Sequence, residues 1–200
     1  GQTKVKEITL AYAVDGWIER RVKQPDITPN TIGVNKNGIN HLYDSIKKSS
    51  PLKSITTDHM DGFRDDLIDK GLKPSSINMH LRTAKSFFRY VWKRGIIDRL
   101  PRIEMVKIND PLPIYLTDDE FHAVLNEVGV DSFYGKVFYF YRETGVRLRE
   151  PFIATLDGNW LDIPNFSKGK RPRSIELNDF LVEVYKELRR WANEWGLVER

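Results

Sequence analysis

The sequence has no cysteine, and only four of its 200 residues are histidine. Without thiols the chain forms neither a disulfide nor a zinc site built on cysteine, which fits an intracellular location. The four histidines are also scattered along the chain rather than paired. We therefore expect no metal site.

Long apolar segments are missing as well. No stretch reaches the length that crosses a bilayer, and residues 1–20 lack the apolar core of a signal peptide. We therefore expect no membrane partner and a cytoplasmic location. Apolar residues still make up 40% of the chain and aromatic residues 12%, which is enough for one large or two small folded domains.

Positive charge is concentrated in the first half of the chain. Residues 1–110 contain 20 lysines and arginines against 13 acidic residues, a net charge of +7. Residues 111–200 contain 12 against 15, a net charge of −3. This asymmetry indicates a polyanionic partner for the first half, although an ordinary basic surface explains the charge equally well.

Helical periodicity dominates the first half. Apolar residues recur there at spacings of three and four along four segments, which predicts four helices with short connections, a small helical bundle. The third helix should bury Met60, Phe63, Leu67 and Ile68 on one face. The four predicted helices cover residues 10–21, 32–46, 57–70 and 74–94.

The second half shows a more mixed pattern. Residues 99–116 contain three prolines and no sustained period, which predicts a linker. After it, Thr117 and Glu120 have the spacing of a helix-capping box. Residues 137–141 are apolar all round, which predicts a buried helix.

A short hairpin and a helix are expected at the end of the chain. Residues 159–164 and 174–177 alternate apolar and polar, which indicates two strands around a basic turn at residues 167–173. The last helix should follow Asn178 as its cap, with Trp191 and Trp195 on its core face.

The fourth helix carries two faces of opposite character. Its apolar residues share one face, while four cations at spacings of three, four and four share another. No acidic residue interrupts the cations, and such an unmixed stripe is suited to DNA phosphates. A solvated helix face is the alternative interpretation. The four cations are Arg82, Lys85, Arg89 and Lys93.

The second helix offers a weaker candidate for DNA contact. It carries Lys36 and Asn40, with Asn35 and Asn37 close by. Asparagine can pair with adenine through two hydrogen bonds, so Lys36 and Asn40 are candidate DNA-binding residues. Asparagine is also common on solvated helix surfaces, and for this segment we favour that interpretation.

Two further candidates lie in the second half. Arg147 follows the helix-ending Gly145, and Glu150 comes three residues later. An arginine held in a turn can grip a phosphate through two hydrogen bonds, and a hairpin lysine can reach a phosphate or donate a proton. The basic residues of the predicted hairpin turn are Lys168, Lys170, Arg171 and Arg173.

These motifs occur in a characteristic order. Residues 144–150 read Thr-Gly-Val-Arg-Leu-Arg-Glu, and residues 168–175 read Lys-Gly-Lys-Arg-Pro-Arg-Ser-Ile. Upstream, residues 71–78 and 86–91 join a turn and Ser-Ile-Asn to Phe-Phe-Arg-Tyr, and residues 115–117 precede an acidic helix start. In order and spacing they resemble the tyrosine site-specific recombinases, the phage-integrase family, over nearly the whole chain.

The resemblance implies a mainly α-helical chain with two domains. Residues 1–105 are expected to form a helical-bundle, SAM-like core-binding domain that grips DNA. Residues 106–200 are expected to form the N-terminal portion of a mixed α+β catalytic domain with a small antiparallel sheet. Because the segment between Glu150 and Lys168 is short, one strand of the family's three-stranded sheet should be reduced.

The implied activity is site-specific DNA recombination and integration through a phosphotyrosine intermediate. In the family pattern Arg147 stabilises charge on the phosphate, Lys168 protonates the leaving 5′ oxygen, and Glu150 orients the arginine. The reaction uses no metal or other cofactor. The implied partners are double-stranded DNA and further copies of the chain, as a tetramer on DNA, at the nucleoid.

The family's nucleophilic tyrosine and its His-x-x-Arg motif normally follow the last predicted helix. We therefore expect the full-length parent to be the enzyme and the 200-residue chain alone to be inactive. Two other classes stay open, a DNA-binding module or regulator without catalysis and a metal-dependent nuclease built on Asp65, Asp66 and Asp69. A solvated helix face explains the three aspartates better.

Overall fold

A computed structural model describes residues 7–109, 115–165 and 171–196 of the chain. The described residues fall into two compact units, one on each side of residues 110–114. Within these ranges no helix combines the length and the apolar character needed to cross a bilayer.

The first unit contains the four helices that the apolar periodicity predicts. A short 3₁₀ turn at Leu52–Ser54 connects the second helix to the third. The helices are α1 (Leu10–Val22), α2 (Pro29–Ser45), α3 (Thr57–Asp69) and α4 (Pro74–Lys93).

Capping residues set where these helices begin. The Thr9 hydroxyl accepts a hydrogen bond from the Tyr12 backbone N–H at 3.3 Å, and the Thr28 hydroxyl caps the next helix in the same way. Pro29 and Pro74 occupy the first turns of α2 and α4, where a missing backbone donor costs nothing.

The helices of the first unit enclose one apolar core. Trp17 and Phe87 are fully enclosed in it and meet edge to face, with ring centroids 5.7 Å apart. Gly38 lies where α2 meets α4: a Cβ added to it would stand 2.8 Å from the Thr83 Cβ. A glycine inside a helix usually weakens it, but Gly38 has a packing role here.

Residues 101–106 pack on the first unit instead of forming a free linker. Ile103 is buried, and the Asn78 side chain of α4 holds the Val106 backbone N–H and C=O through two hydrogen bonds of 2.8 Å. The linker predicted at 99–116 is therefore wrong for this stretch. A segment without periodicity is still ordered here because its apolar and backbone polar groups find partners on the helices.

The second unit combines helices with a small sheet. The predicted capping box is present, with the Thr117 backbone N–H donating to the Glu120 carboxylate at 2.8 Å. In the described residues the helices are α5 (Asp118–Val128), α6 (Phe133–Thr144), α7 (Glu150–Ile153) and α8 (Asp179–Glu194), and the strands are β1 (Thr155–Asp157), β2 (Trp160–Ile163) and β3 (Arg173–Glu176).

The sheet is antiparallel, with the order β1-β2-β3. Leu161 of β2 faces Leu156 of β1 and Ile175 of β3, and its side chain is fully buried. Strands β2 and β3 are the two predicted ones. Strand β1 has three residues, too few to show a period, and it lies in the short segment where the family resemblance implies a reduced strand. The Gly158-Asn159 pair between β1 and β2 is typical of a tight hairpin turn. The expected mainly helical fold with a small antiparallel sheet is confirmed.

Some apolar side chains that the sequence assigns to a core are exposed. Ile68 lies in the last turn of α3, and Trp195 follows the end of α8 with 69% of its side chain exposed. Both positions lie at helix ends, where the chain leaves the core. Phe138, in the helix that was expected to be buried on all sides, is also exposed.

Candidate active site and nucleic-acid interface

The turn after α6 is held by its own backbone and side chains. Thr144 Oγ1 donates to a carbonyl one helical turn earlier at 2.6 Å, and the Gly145 N–H donates to the Tyr141 carbonyl at 3.0 Å. Gly145 adopts a φ of 59°, which glycine accepts without strain. Val146 is buried in the core, so the backbone at Arg147 is held in place.

Glu150, the first residue of α7, is a buried carboxylate with only 2% of its surface exposed. It accepts hydrogen bonds from the Arg147 backbone N–H at 2.8 Å and from Arg147 Nη1 at 2.7 Å. Arg173, the first residue of β3, donates to the same carboxylate through Nη1 at 3.1 Å and Nη2 at 2.6 Å. We refer to Arg147, Glu150 and Arg173 as the Glu150 cluster.

The Glu150 cluster carries a fixed positive charge. Burial raises the pKa of Glu150. The hydrogen bonds from the Arg147 backbone N–H and from the guanidinium groups of Arg173 and Arg147 outweigh this effect, and the pKa falls to about 2. The carboxylate is therefore ionised at neutral pH. Because two arginines share one carboxylate, one positive charge remains uncompensated.

Arg147 presents its remaining donors to solvent. Its side chain is 52% exposed, and Nη1 is the one guanidinium nitrogen that donates to any described residue. A guanidinium fixed on one side and open on the other can bind two phosphate oxygens through parallel hydrogen bonds. The geometry therefore suits the binding of a phosphate and the stabilisation of charge on it.

Two of the four basic hairpin residues, Arg171 and Arg173, belong to the described part of the chain. Lys168 and Lys170 lie outside the described residues. Arg171 is exposed and forms no ion pair within the described ranges, whereas Arg173 reaches back to Glu150. The structure thus brings three predicted site residues together, Arg147, Glu150 and Arg173.

Two tyrosines lie near the cluster, and both are engaged in packing. The Tyr141 hydroxyl donates to the Leu148 carbonyl at 2.7 Å, and the Tyr185 hydroxyl donates to the Ala154 carbonyl at 2.8 Å. Burial raises the pKa of Tyr141 to about 12 and also raises that of Tyr185. A phenol that is bonded and hard to ionise is a poor nucleophile, so neither fits that role.

The basic stripe of α4 has the exposure that the sequence predicts. All four cations face solvent, and in the parts of the chain that the structure covers none of them forms an ion pair. The opposite face of α4 is buried in the core of the first unit. The members of this stripe are Arg82, Lys85, Arg89 and Lys93.

Lys36 and Asn40 are exposed, but they do not extend this stripe. Each lies two residues from Gly38, which is about 200° around the helix, and Gly38 faces α4. Both side chains therefore lie on the side of α2 that is turned away from α4. Asn35 is buried and donates to the Thr31 carbonyl, so it is no candidate for base contact.

The aspartates of α3 are engaged separately. Asp65 pairs with Arg64 at 3.2 Å, and Asp66 accepts a hydrogen bond from Ser45. Among the described residues no three histidine or carboxylate side chains are grouped so as to hold a metal ion.

An apolar groove of about 1190 Å³ opens on the second unit beside Arg149. Helices α5, α6 and α8 line it, together with Leu148, which is 75% exposed. Phe138 of α6 also faces this groove. The segment 137–141, which is apolar all round, therefore has one side in the core and another facing this groove.

The link between Arg173 and Glu150 could not be found from spacing, because 23 residues separate them. The one available signal is that Arg173 opens a predicted strand, where a side chain is held by its pairing partner. Arg173 pairs with Ile163 of β2, and this register directs it toward α7.

Comparison with known proteins finds sequence relatives among integrases and recombinases. Residues 14–105 match the family described as the phage integrase SAM-like domain. The tyrosine recombinase XerC of Thermodesulfovibrio yellowstonii is 26% identical over 137 residues, which are 63% of this chain and 45% of that protein. XerC of Chlorobaculum tepidum is 31% identical over 68 residues, 33% of this chain and 20% of that protein. The chain thus spans less than half the length of these relatives.

Solved integrase structures share the fold. A lambda integrase tetramer bound to a Holliday junction superposes with a TM-score of 0.71 at 17% identity, covering 93% of this chain and 56% of that one. The Tn1549 transposon integrase in complex with a circular intermediate DNA gives 0.71 at 16% identity, covering 92% and 65%. The chain thus contains a match to the phage integrase SAM-like domain and is similar in sequence to tyrosine recombinases.

Proposed function

We propose that the chain is part of a site-specific recombinase that cuts and rejoins DNA through a phosphotyrosine link. Residues 1–105 are its DNA-gripping core-binding domain, and residues 106–200 are the N-terminal portion of its catalytic domain. The observation that carries the proposal is the Glu150 cluster, because it holds a half-exposed guanidinium rigidly in a chain that is similar in sequence to tyrosine recombinases.

The proposed chemistry gives each residue of the site one task. A tyrosine oxygen attacks a DNA phosphate, the 5′ oxygen leaves, and the phosphotyrosyl ester retains the bond energy without a cofactor. Arg147 binds the non-bridging oxygens and stabilises the charge that develops on them. Lys168 protonates the leaving oxygen, and Glu150 positions Arg147.

We infer that the nucleophilic tyrosine is not one of the tyrosines of these 200 residues. The hydroxyls of Tyr141 and Tyr185, close to the cluster, donate to backbone carbonyls. The apolar groove supports the inference that further catalytic-domain structure covers this surface, because large exposed apolar patches mark sites that another segment or partner occupies. On this proposal the 200-residue chain alone does not cleave DNA.

The proposed partner is double-stranded DNA, contacted by the basic stripe of α4 and by the residues of the basic hairpin. Exposed cations without acidic neighbours release counterions when they meet phosphates, which favours binding. The lambda integrase structure holds a tetramer on a Holliday junction, and we propose a homo-oligomer on DNA here as well. Such a protein acts in the cytoplasm at the nucleoid.

The DNA-binding part of the proposal can be tested on the chain itself. Arg82→Glu, Lys85→Glu and Arg89→Glu together should abolish binding to a duplex, and the wild-type affinity should fall steeply with added salt. Fluorescence anisotropy of a labelled duplex measures both effects.

A matched control separates the stripe from net charge alone. Arg20, Lys23 and Lys47 are exposed cations that form no ion pair with described residues, and reversing all three changes the net charge equally. This control should bind substantially more tightly than the stripe variant. Equal loss in both variants, or no loss in the stripe variant, would mean that the stripe is only a solvated face.

A further inference from the structure

Arg173 directs both of its terminal nitrogens to a carboxylate of the protein, although 36% of its side chain is exposed. Both Nη1 and Nη2 donate to Glu150, at 3.1 Å and 2.6 Å. We propose that Arg173 is a positioning residue of the phosphate site, which saturates Glu150 and thereby keeps two donors of Arg147 free for phosphate. This inference rests on the proposed function, in which Arg147 is the phosphate ligand.

The hydrogen-bonding capacity of Glu150 carries the argument. An ionised carboxylate offers about four lone-pair positions on its two oxygens. Glu150 accepts four hydrogen bonds, two from Arg147 and two from Arg173, divided equally between Oε1 and Oε2. It therefore has no position left for Nε or Nη2 of Arg147.

Removal of Arg173 would change what Arg147 can do. Two acceptor positions on Glu150 would become vacant, and a guanidinium beside such a carboxylate forms a two-bonded fork with it. Arg147 would then turn its free donors inward. The pair would also be neutral, so the attraction for a phosphate would lose both its geometry and its uncompensated charge.

The position of Arg173 in the fold supports this role. Its backbone is part of β3, in register with Ile163 of β2, so its guanidinium is aimed from a fixed strand. Arg171, two residues earlier, is exposed and forms no ion pair within the described ranges. The two arginines of one basic segment thus have separate tasks. Arg149, which is exposed and whose side chain forms no ion pair in the described residues, is the matched control.

Nuclear magnetic resonance on the full 200-residue chain tests the inference. Inorganic phosphate is titrated while the Arg147 Nε–Hε signal is followed, and the pKa of Glu150 is measured from its side-chain carboxyl carbon. In Arg173→Gln the phosphate dissociation constant at Arg147 should rise about tenfold or more, because a charge-assisted site is lost. The pKa of Glu150 should rise toward its ordinary value. Arg149→Gln should change neither quantity.

The outcomes separate this inference from the proposed function. Unchanged phosphate affinity and an unchanged Glu150 pKa in Arg173→Gln would overturn the role of Arg173. If wild-type Arg147 shows no response to phosphate, the proposed function fails, while a raised pKa of Glu150 in the variant still supports the saturation of the carboxylate by Arg173.

A second substitution guards against misfolding. If Arg173→Gln unfolds the second unit, Arg173→Lys keeps the charge but not the two-pronged donor. It should bind phosphate more weakly than the wild type does, and an affinity equal to the wild type would overturn the inference.

Discussion

The two units of this chain hold their cations in opposite ways. On α4 the cations of the stripe stand in solvent, without an acidic neighbour on their face. In the second unit Arg147 and Arg173 share a buried carboxylate and are joined by four hydrogen bonds to it. If the cations of either unit were arranged as in the other unit, that unit would lose the property that its own arrangement provides.

The difference teaches which task each arrangement suits. Long exposed side chains can follow an irregular line of phosphates, and each adds a similar, salt-dependent increment to binding. A guanidinium fixed by a buried carboxylate points in one direction and can therefore stabilise charge at one point. This arrangement depends on every residue that holds the guanidinium. The proposed function accordingly gives the gripping of DNA to the first unit and phosphate chemistry to the second.

The largest effect should follow from loss of the fixed guanidinium. In a full-length recombinase that contains this chain, Arg147→Ala should slow DNA cleavage by roughly a hundred- to a thousandfold, as for loss of one preorganised donor. DNA binding should persist, because the stripe of α4 is untouched. Single-turnover cleavage and anisotropy measure the two effects.

Arg149→Ala is the matched control, since Arg149 is exposed and its side chain forms no ion pair in the described residues. Comparable slowing by both substitutions would show that Arg147 is no more than one surface cation among several, and the contrast between the units would disappear.

The next largest effect concerns stability and its pH dependence. Glu150→Gln should lower the free energy of unfolding at pH 7 by about 2–3 kcal/mol, because two guanidinium groups lose their shared charge. The folded-state pKa of about 2 lies below the ordinary value of 4.5, so this stabilisation is complete above pH 4.5 and is lost as the pH falls toward 2. Urea unfolding at several pH values measures the effect.

A surface carboxylate provides the comparison for this prediction. Glu183 pairs with Lys186 at 2.7 Å, and both side chains are exposed. Glu183→Gln should cost no more than about 0.5 kcal/mol and leave the acid dependence as in the wild type. A Glu150→Gln protein that still loses stability between pH 4.5 and 2 as strongly as the wild type would contradict the assignment.

In the first unit, stability should depend on helix packing and not on the cations. Gly38→Ala should destabilise by about 1–3 kcal/mol, because the new Cβ collides with Thr83. Gly33→Ala, in the same helix but with open space around it, should stabilise by about 0.5–1 kcal/mol. Thermal or urea unfolding that gave both substitutions the same sign would contradict the close contact.

The smallest effect is expected from one cation of the stripe. Lys85→Gln should reduce the slope of log affinity against log salt by about 1 and weaken binding alike for unrelated duplexes. Its stability should stay within about 0.5 kcal/mol of the wild type. A selective loss for one DNA sequence would indicate base contact by Lys85 instead of phosphate contact.

Periodicity predicts the helices of this chain well because each one buries a single face. Leu10, Val14 and Trp17 of α1 recur at spacings of four and three and are all buried. The same argument predicts the faces of α4. The resemblance of residues 144–150 to the recombinase pattern placed Arg147 and Glu150 correctly beside each other, since they are neighbours within one turn.

Features that depend on distant partners could not be predicted in this way. The contact of Arg173 with Glu150 is set by the sheet register, and the order of residues 101–106 is set by Asn78. Apolar periodicity also cannot say what covers an apolar face. It assigned Phe138 to the interior, whereas Phe138 faces the open groove.

The most direct test of the account is the response of individual arginines to DNA. A short duplex is added at low salt to the labelled 200-residue chain, and the arginine Nε–Hε signals are followed while salt is raised. The account predicts that Arg82, Arg89 and Arg147 respond, that Arg147 loses its response in Glu150→Gln, and that Arg82 and Arg89 keep theirs. An Arg147 signal that ignores DNA, or that responds equally without Glu150, would contradict the central claim that a buried carboxylate prepares this arginine for phosphate.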